Sequence, residues 1–328
     1  MKLIVMRTSL RFSLVIGSLA GVVLIQACTR PATDFGASSS DSVDSGREIF
    51  FTTEPGRNQK TLNKGMNAFA DYLTKEIGVR FTYKPAISYL HAYQLFSSGE
   101  IDMIRVGIYG GYKVLEQNSD ASTLAIQKPS YVSVLIGNQK LRPKADQQND
   151  KGIQVIKGKR VGFGSLYSGS TFMHPLLDMR SQGVVIADTE DCKHVTNQYD
   201  LPAMVAVGQL DYAFIKGNSV SLLGRVKDEY LPSIYVAWKS PEVKRNNYFI
   251  VSERLRREDD GRLERSLQKA IIDLDRENKT DQAVLDGLSK GALGFEPQNE
   301  VFPTPVNDKI KALIQDYGSA PSCEDWDV

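Results

Sequence analysis

Apolar positions along the chain recur in two alternating rhythms. "EIFFTT", Glu48 to Thr53, reads as a short apolar strand that stops at the turn signal "EPGR". Leu62, Met66, Phe69, Ala70, Leu73 and Ile77 then repeat at helical spacing, and Gly78 closes that helix. "VRFTYKP" alternates as a strand, "SYLHAYQLFSSG" predicts a second helix ending at Gly99, and "IDMIRV" is a strand followed by Gly107, Gly110 and Gly111. "STLAIQKPSYVSVLIGN" supplies further strand material. The polar stretch Leu141 to Gly152 is a loop near a domain boundary.

Beyond that loop the pattern restarts. "GKRVGFG" is predicted as a strand, "STFMHPLLDMR" as a helix and "GVVIADTE" as a strand. "YDLPAMVAVGQLDYAFI" gives a helix, a break at Gly208 and a strand; "PSIYVAWKS" runs back out. "SLQKAIIDLDRE" and "AVLDGLSKG" are helical, and the chain closes on a polar tail, residues 321–328. Two passages share one plan: "SYLHAYQLFSSGEIDMIRV" and "YDLPAMVAVGQLDYAFI" each run helix, turn, Asp, strand. The expectation is an α/β chain of two lobes, each a mostly parallel sheet flanked by helices, with a cleft between them. The first lobe is set at 47–137 plus 240–320 and the second at 150–236. Ligands in such sheets bind beyond the carboxyl ends of strands, at helix N-termini.

The first 46 residues fit neither lobe. Lys2, Arg7 and Arg11 precede an apolar run from Phe12 to Ile25, too short and too dotted with Gly and Ser for a comfortable span. Residues 1–27 read as a secretory leader. Its end, "IQAC", resembles the bacterial lipobox, which implies lipidation of Cys28 and tethering of the body to a membrane surface. Residues 28–46, rich in Ser, Asp, Gly and Ala, form the flexible tether.

Charge narrows the partners. The chain carries 40 Lys and Arg against 39 Asp and Glu, a net charge of +1; losing Lys2, Arg7 and Arg11 leaves 37 against 39, or −2. A near-neutral body argues against nucleic acid. Beyond Cys28, Cys192 and Cys323 are left as either a disulfide or two thiols, and a bond that joined the lobes would oppose hinge motion. His91, His174 and His194 lack metal-ligand spacing, so neither metal nor cofactor is expected.

"GFGSLYSGST", Gly162 to Thr171, is the densest chemical signal. A dinucleotide fingerprint fails at Tyr167, where the third Gly belongs. A Walker loop fails for want of Gly-Lys-Ser/Thr, and no Gly-x-Ser-x-Gly elbow is present. With no catalytic set beside it, an enzyme is not expected. Ser168, Ser170 and Thr171 sit where a helix begins, and hydroxyls with free backbone N–H groups there suit an anion; a plain Ser/Thr helix cap is the competing reading.

Several segments together resemble the phosphate, phosphonate and phosphite solute-binding proteins of ABC transporters. "FGSLYSGSTFMHP" is similar to the family's second-lobe Ser-Thr-Ser motif, with Gly169 in place of one hydroxyl residue. "PAISYLHAYQLFSSGEID" matches the segment in which Tyr89 opens a helix. "IDMIRVGIYGGY" resembles its strand and turn, and "KPSYVSVLIGN" places Tyr131 at a ligand-contacting aromatic position. "AWKSPEVKRNNYFIV" resembles the return segment, with Asn246 and Asn247 where Asp-Pro is usual and Lys244 for the first Pro; "GFEPQNEVFPTPVNDKI" resembles the C-terminal stretch.

The resemblance implies a type II periplasmic-binding-protein fold and a monomer in the bacterial cell envelope. Its ligand is a small phosphorus oxyanion, and its partner an ABC permease or, alternatively, a membrane sensor kinase. It implies a site of Tyr89, Tyr109, Tyr131, Ser168, Gly169, Ser170, Thr171 and Asn246. Arg105, within a strand, reads as a buried, paired side chain, and Lys244 and Arg245 as solvated surface.

Overall fold

The computed structural model describes residues 47–144, 152–218, 221–241 and 245–298, together with Asp308, Ala312 and Cys323. The leader, Cys28, the tether, Lys244, the stretch from Glu300 to Ile310 apart from Asp308, and the tail apart from Cys323 lie outside the described residues.

Strand β1 (Glu48–Thr53) leads into helix α1 (Gln59–Ile77), β2 (Arg80–Tyr83), α2 (Tyr89–Ser97), β3 (Met103–Val106), α3 (Ile108–Gln117) and β4 (Ser122–Lys128). The chain then crosses to β5 (Tyr131–Asn138), β6 (Arg160–Phe163), a π-helical turn (Gly169–Met173) continuing into α4 (His174–Ser181), β7 (Asp191–His194), α5 (Leu201–Ala206), β8 (Tyr212–Asn218) and β9 (Ile234–Lys239). It returns through β10 (Tyr248–Val251), α6 (Glu253–Arg257), α7 (Arg262–Ile272), α8 (Lys279–Leu288) and β11 (Gly294–Pro297).

Two sheets result, ordered β11-β4-β10-β3-β1-β2 and β7-β6-β8-β5-β9. Each has three parallel strands, β2-β1-β3 and β7-β6-β8, extended by antiparallel ones. The sheets are therefore mixed, because the chain enters and leaves each lobe next to strands already laid down.

The lobe boundary departs from expectation. β5 pairs with β8 and β9 along its whole length, so the crossing falls at Pro129 and not after residue 137. The second lobe spans 131–239. "STLAIQKPSYVSVLIGN" is two strands in two sheets, and periodicity does not separate them because β5 is buried at every position and shows no apolar–polar alternation. "GVVIADTE" is not one strand: Gly183 has φ +67, Ile186–Asp188 forms a 3-10 turn, and β7 begins only at Asp191.

Local signals explain the elements. Asn58 caps α1 by accepting the Thr61 N–H at 3.3 Å, and Gly78, at φ 80, ends it. Its buried face, Leu62, Met66, Phe69 and Leu73, packs on the first sheet; full burial of each such side chain stabilises the fold by about 1.5–3 kcal/mol. Gly65 and Gly287 let α1 and α8 touch backbone to backbone, since a Cβ at Gly65 would run into the Gly287 carbonyl. Cys192 on β7 and buried Cys323 are disulfide-bonded, which settles the pairing left open by the sequence. Among the described residues no helix is long and apolar enough to cross a membrane.

The two crossings lie side by side where Asn246 meets Pro129. Asn246 Nδ2 donates to the Pro129 carbonyl at 2.7 Å, and the Ser240 N–H donates to the Ser133 carbonyl at 2.8 Å.

Candidate functional site

The carboxyl ends of β1, β3 and β8 and the start of the π-helical turn converge on a cavity of about 70 Å³ between the lobes. That is room for a small oxyanion with a few heavy atoms, far below the several hundred Å³ of a drug- or nucleotide-sized pocket.

One wall is the "SGST" helix start. Ser168 Oγ accepts from the Thr171 hydroxyl at 2.7 Å and from its N–H at 3.4 Å, capping the turn. The Met173 N–H reaches back five residues to the Ser168 carbonyl, at 3.0 Å, which makes the turn π-helical. Ser168, Gly169 and Ser170 line the cavity. The first N–H groups of a helix have no intrahelical acceptor and carry the positive end of its dipole, so this wall suits an anion.

The opposite wall belongs to the first lobe. Gly107, the N-cap of α3, and Ile108 line it, as do Tyr89, Thr53 and Glu54. The Glu54 carboxylate accepts from the Gly107 N–H at 2.9 Å and from Tyr93 Oη at 2.7 Å. Burial pushes its pKa from 4.5 up to about 7, opposed by those two hydrogen bonds and by Arg105 and Lys216. Gly110 is needed behind it: a Cβ there would strike the Glu54 carboxylate.

Four cations complete the lining: Arg57, Arg105, Lys216 and Arg225. Each hydrogen-bonds a neutral acceptor. Arg57 donates to the Gly287 carbonyl, Arg105 to Gln127 Oε1, Lys216 Nζ to Asn246 Oδ1 at 2.6 Å, and Arg225 to Ser289 Oγ at 2.8 Å. With its amide oriented to suit its neighbours, Asn247 also accepts from Arg105, at 2.7 and 3.0 Å. Burial, with the charges of Arg57 and Arg225, pulls Arg105 down to about 9. Burial likewise depresses Lys216 well below its ordinary value, with Arg225 and Arg105 adding repulsion. Lys216 also sits 4.7 Å over the Tyr131 ring.

The lobes touch across the cleft. Tyr167 of the second lobe inserts among Tyr89, Tyr93 and Tyr109 of the first, with ring centroids 6.4, 6.1 and 5.7 Å apart. Gln198 Nε2 donates to the Gly56 carbonyl at 3.3 Å. Gly169 faces Ile108, and a Cβ at 169 would lie 2.8 Å from the Ile108 Cγ2 and 3.2 Å from Tyr131 Oη. This position is thus glycine because two helix starts meet there, whatever hydroxyl it forgoes.

Of the eight residues expected at the site, Tyr89, Tyr131, Ser168, Gly169 and Ser170 line the cavity. Three do not. Tyr109 receives Tyr167 instead. The Thr171 hydroxyl is turned to Ser168 within the cap. Asn246 is buried at the crossing, where it bridges Lys216 to Pro129, while its neighbour Asn247 faces the cavity.

Sequence reading missed Glu54, Arg57, Lys216 and Arg225 and took Arg105 for a paired core residue. One signal was present: "MIRV" and "YAFIKGN" each carry a lone cation inside an apolar strand, where burial without a purpose is costly. Arg225 carried no such mark. Among the described residues no cluster of His, Cys, Asp and Glu could hold a metal ion.

Two sheets joined by paired crossings, with an anion-suited cleft at strand ends and helix starts, define a two-lobed binding protein. Residues 51–300, about three-quarters of the chain, match the family of ABC transporter, phosphonate, periplasmic substrate-binding proteins, and the chain belongs to it. That family is one of solute-binding components, not of enzymes.

The chain is 25% identical over 237 residues to a probable ABC transporter phosphite-binding protein, PhnD1, of Prochlorococcus marinus (strain MIT 9301), covering 71% of this chain and 79% of that one. The structure of PhnD1 with methylphosphonate superposes with a TM-score of 0.71 at 21% identity, covering 83% of this chain and 99% of PhnD1. A binding component of a phosphonate ABC transporter from Pseudomonas aeruginosa gives a TM-score of 0.63 at 16% identity, over 82% and 86% of the two chains. These likenesses place the fold among type II periplasmic binding proteins.

Proposed function

We propose that this protein captures a small phosphorus oxyanion, phosphate, phosphite or a phosphonate, between its lobes and presents it to an ABC permease. The observation that carries this reading is the cavity itself: a helix start with Ser168 and Ser170, the Tyr89 and Tyr131 side chains and four basic groups surround a space of small-oxyanion size. Contacts to both lobes exist only when the cleft is shut, so a ligand favours the closed arrangement and the permease reads that shape.

Residues 1–27 act as the leader in this reading. Lipid on Cys28 then holds the body at the membrane through a tether to Gly46. Tyr89, Tyr131, Ser168, Gly169 and Ser170 touch the oxyanion, joined by the basic groups.

The test is a thermal-shift screen of the full chain in mild detergent against phosphate, phosphite, methylphosphonate and sulfate. Ligand binding raises the melting temperature by mass action. A shift with one of the phosphorus oxyanions supports the reading. No shift with any of them at millimolar concentration overturns it.

A further inference from the structure

The cleft gathers more basic groups than one phosphonate needs. Among the described residues its charged lining is Arg57, Arg105, Lys216 and Arg225 against Glu54, and burial favours the uncharged form of both Lys216 and Glu54, so the net charge runs from +2 with Lys216 neutral and Glu54 ionised to +4 with Lys216 charged and Glu54 protonated. A phosphonate dianion leaves up to two of these charges uncompensated. Buried cations are expensive unless an anion or a full set of acceptors meets them.

Protein groups do not meet them here. Among the described residues, none of the four makes an ion pair; their hydrogen-bond acceptors are carbonyls, amides and a hydroxyl. Arg105 Nε and Arg225 Nε are buried with no partner at all. A purely structural cation in this protein looks different: Arg160 is forked onto Asp211 at 2.8 and 3.2 Å, and Arg254 onto Asp102.

A second cavity of about 20 Å³, lined by Pro202, Ile215 and Val226, shares Gln198, Tyr199, Lys216 and Arg225 with the first. Arg225 and Lys216 thus border both cavities. A guanidinium there presents a fork that matches a carboxylate or phosphoryl group.

The geometry points to a ligand with two acidic groups: a phosphonate whose phosphoryl end rests on the Ser168–Ser170 helix start and whose second group, a carboxylate or another phosphoryl, is held by Arg225 with Arg57 and Lys216. This rests on the oxyanion reading above and refines its substrate class. The second group brings the ligand to three or more negative charges, which answer the upper part of the +2 to +4 range of the lining. A simple phosphonate binds in the same place with the far cations left to water.

Isothermal titration of the full chain in mild detergent separates the cases. The probes are methylphosphonate, phosphonoacetate and methylenediphosphonate at fixed ionic strength and pH 7.5. Phosphonoacetate or methylenediphosphonate should bind at least tenfold tighter than methylphosphonate. In Arg225→Gln that ratio should shrink by about tenfold, and Arg225→Lys should keep part of it; circular dichroism of each variant verifies folding, and Arg57→Gln provides a second variant. Binding of methylphosphonate as tightly as either bifunctional probe overturns this inference and leaves the oxyanion reading standing. Binding of none of the three removes this inference, and the oxyanion reading then stands or falls on phosphate and phosphite in the thermal-shift screen.

Discussion

The Glu54 carboxylate, at the end of β1, accepts the backbone N–H of Gly107 at 2.9 Å, so a side chain of one strand occupies the helix start that follows another. Among the described residues it is the one carboxyl group lining the cavity, set among cations. Its neighbours are Tyr93 on α2, Arg105 on β3 and Lys216 on β8. Burial still outweighs them and lifts its pKa to about 7.

A carboxyl whose folded pKa exceeds its unfolded one binds its proton more tightly in the native state. Glu54 therefore contributes stability that is full below about 4.5, declines as pH rises toward about 7 and is absent above. Its share is on the order of 1–3 kcal/mol. Chemical denaturation of wild type and Glu54→Gln from pH 4.5 to 8 should show that difference shrinking with pH. A pH-independent difference would mean that Glu54 does not titrate in this window.

Tyr167 bridges the lobes through three tyrosine rings of the first lobe. If the cleft closes on its ligand as proposed, those contacts belong to the closed form, so Tyr167→Ala should weaken ligand binding about ten- to a hundredfold, from about 0.5–1.5 kcal/mol per lost aromatic pair. Tyr167→Phe should restore most of the affinity. Small-angle scattering of liganded Tyr167→Ala should report a more open particle than liganded wild type.

Gly169 is where the two helix starts approach. A side chain there must displace Ile108 or hold the lobes apart, at about 1–3 kcal/mol. Gly169→Val should bind the oxyanion roughly five- to a hundredfold more weakly. Its unliganded melting temperature should change little if the open form relieves the clash. Wild-type affinity in Gly169→Val would show that the cleft does not close onto this position.

Asn246 gives Lys216 a hydrogen-bond partner without a countercharge, since a neutral amide oxygen accepts from its Nζ at 2.6 Å. Asn246→Asp replaces that oxygen by a carboxylate. The unliganded protein should become more stable, by about 1 kcal/mol, while oxyanion affinity falls by tenfold or more as one cleft cation is spent on the new pair. Asn246→Leu should instead destabilise by about 1–3 kcal/mol, leaving Lys216 and the Pro129 carbonyl without this partner. Melting curves and titrations of the two variants read both signs.

The amino-acid sequence by itself determined the alternation of helices and strands, the two repeated blocks and the helix start at Ser168, because periodicity, caps and glycine stops act over a few residues. α1 with its Gly78 end, and the α5–Gly208–β8 passage, were legible for that reason. So were Ser168 and Ser170, whose chemistry is that of their own turn, and Tyr89 and Tyr131, reached through family resemblance. Tertiary structure alone decided the rest. The lobe boundary at Pro129 depends on which sheet β5 joins, a choice that a strand buried at every position leaves open. The meeting of Arg57, Arg105, Lys216 and Arg225 around Glu54 joins positions up to 171 residues apart, and the field they create together is a property of distance in space. The disulfide of Cys192 with Cys323, and the exchange of roles between Asn246 and Asn247, likewise follow from how the crossing segments and the second sheet pack, which no local pattern encodes.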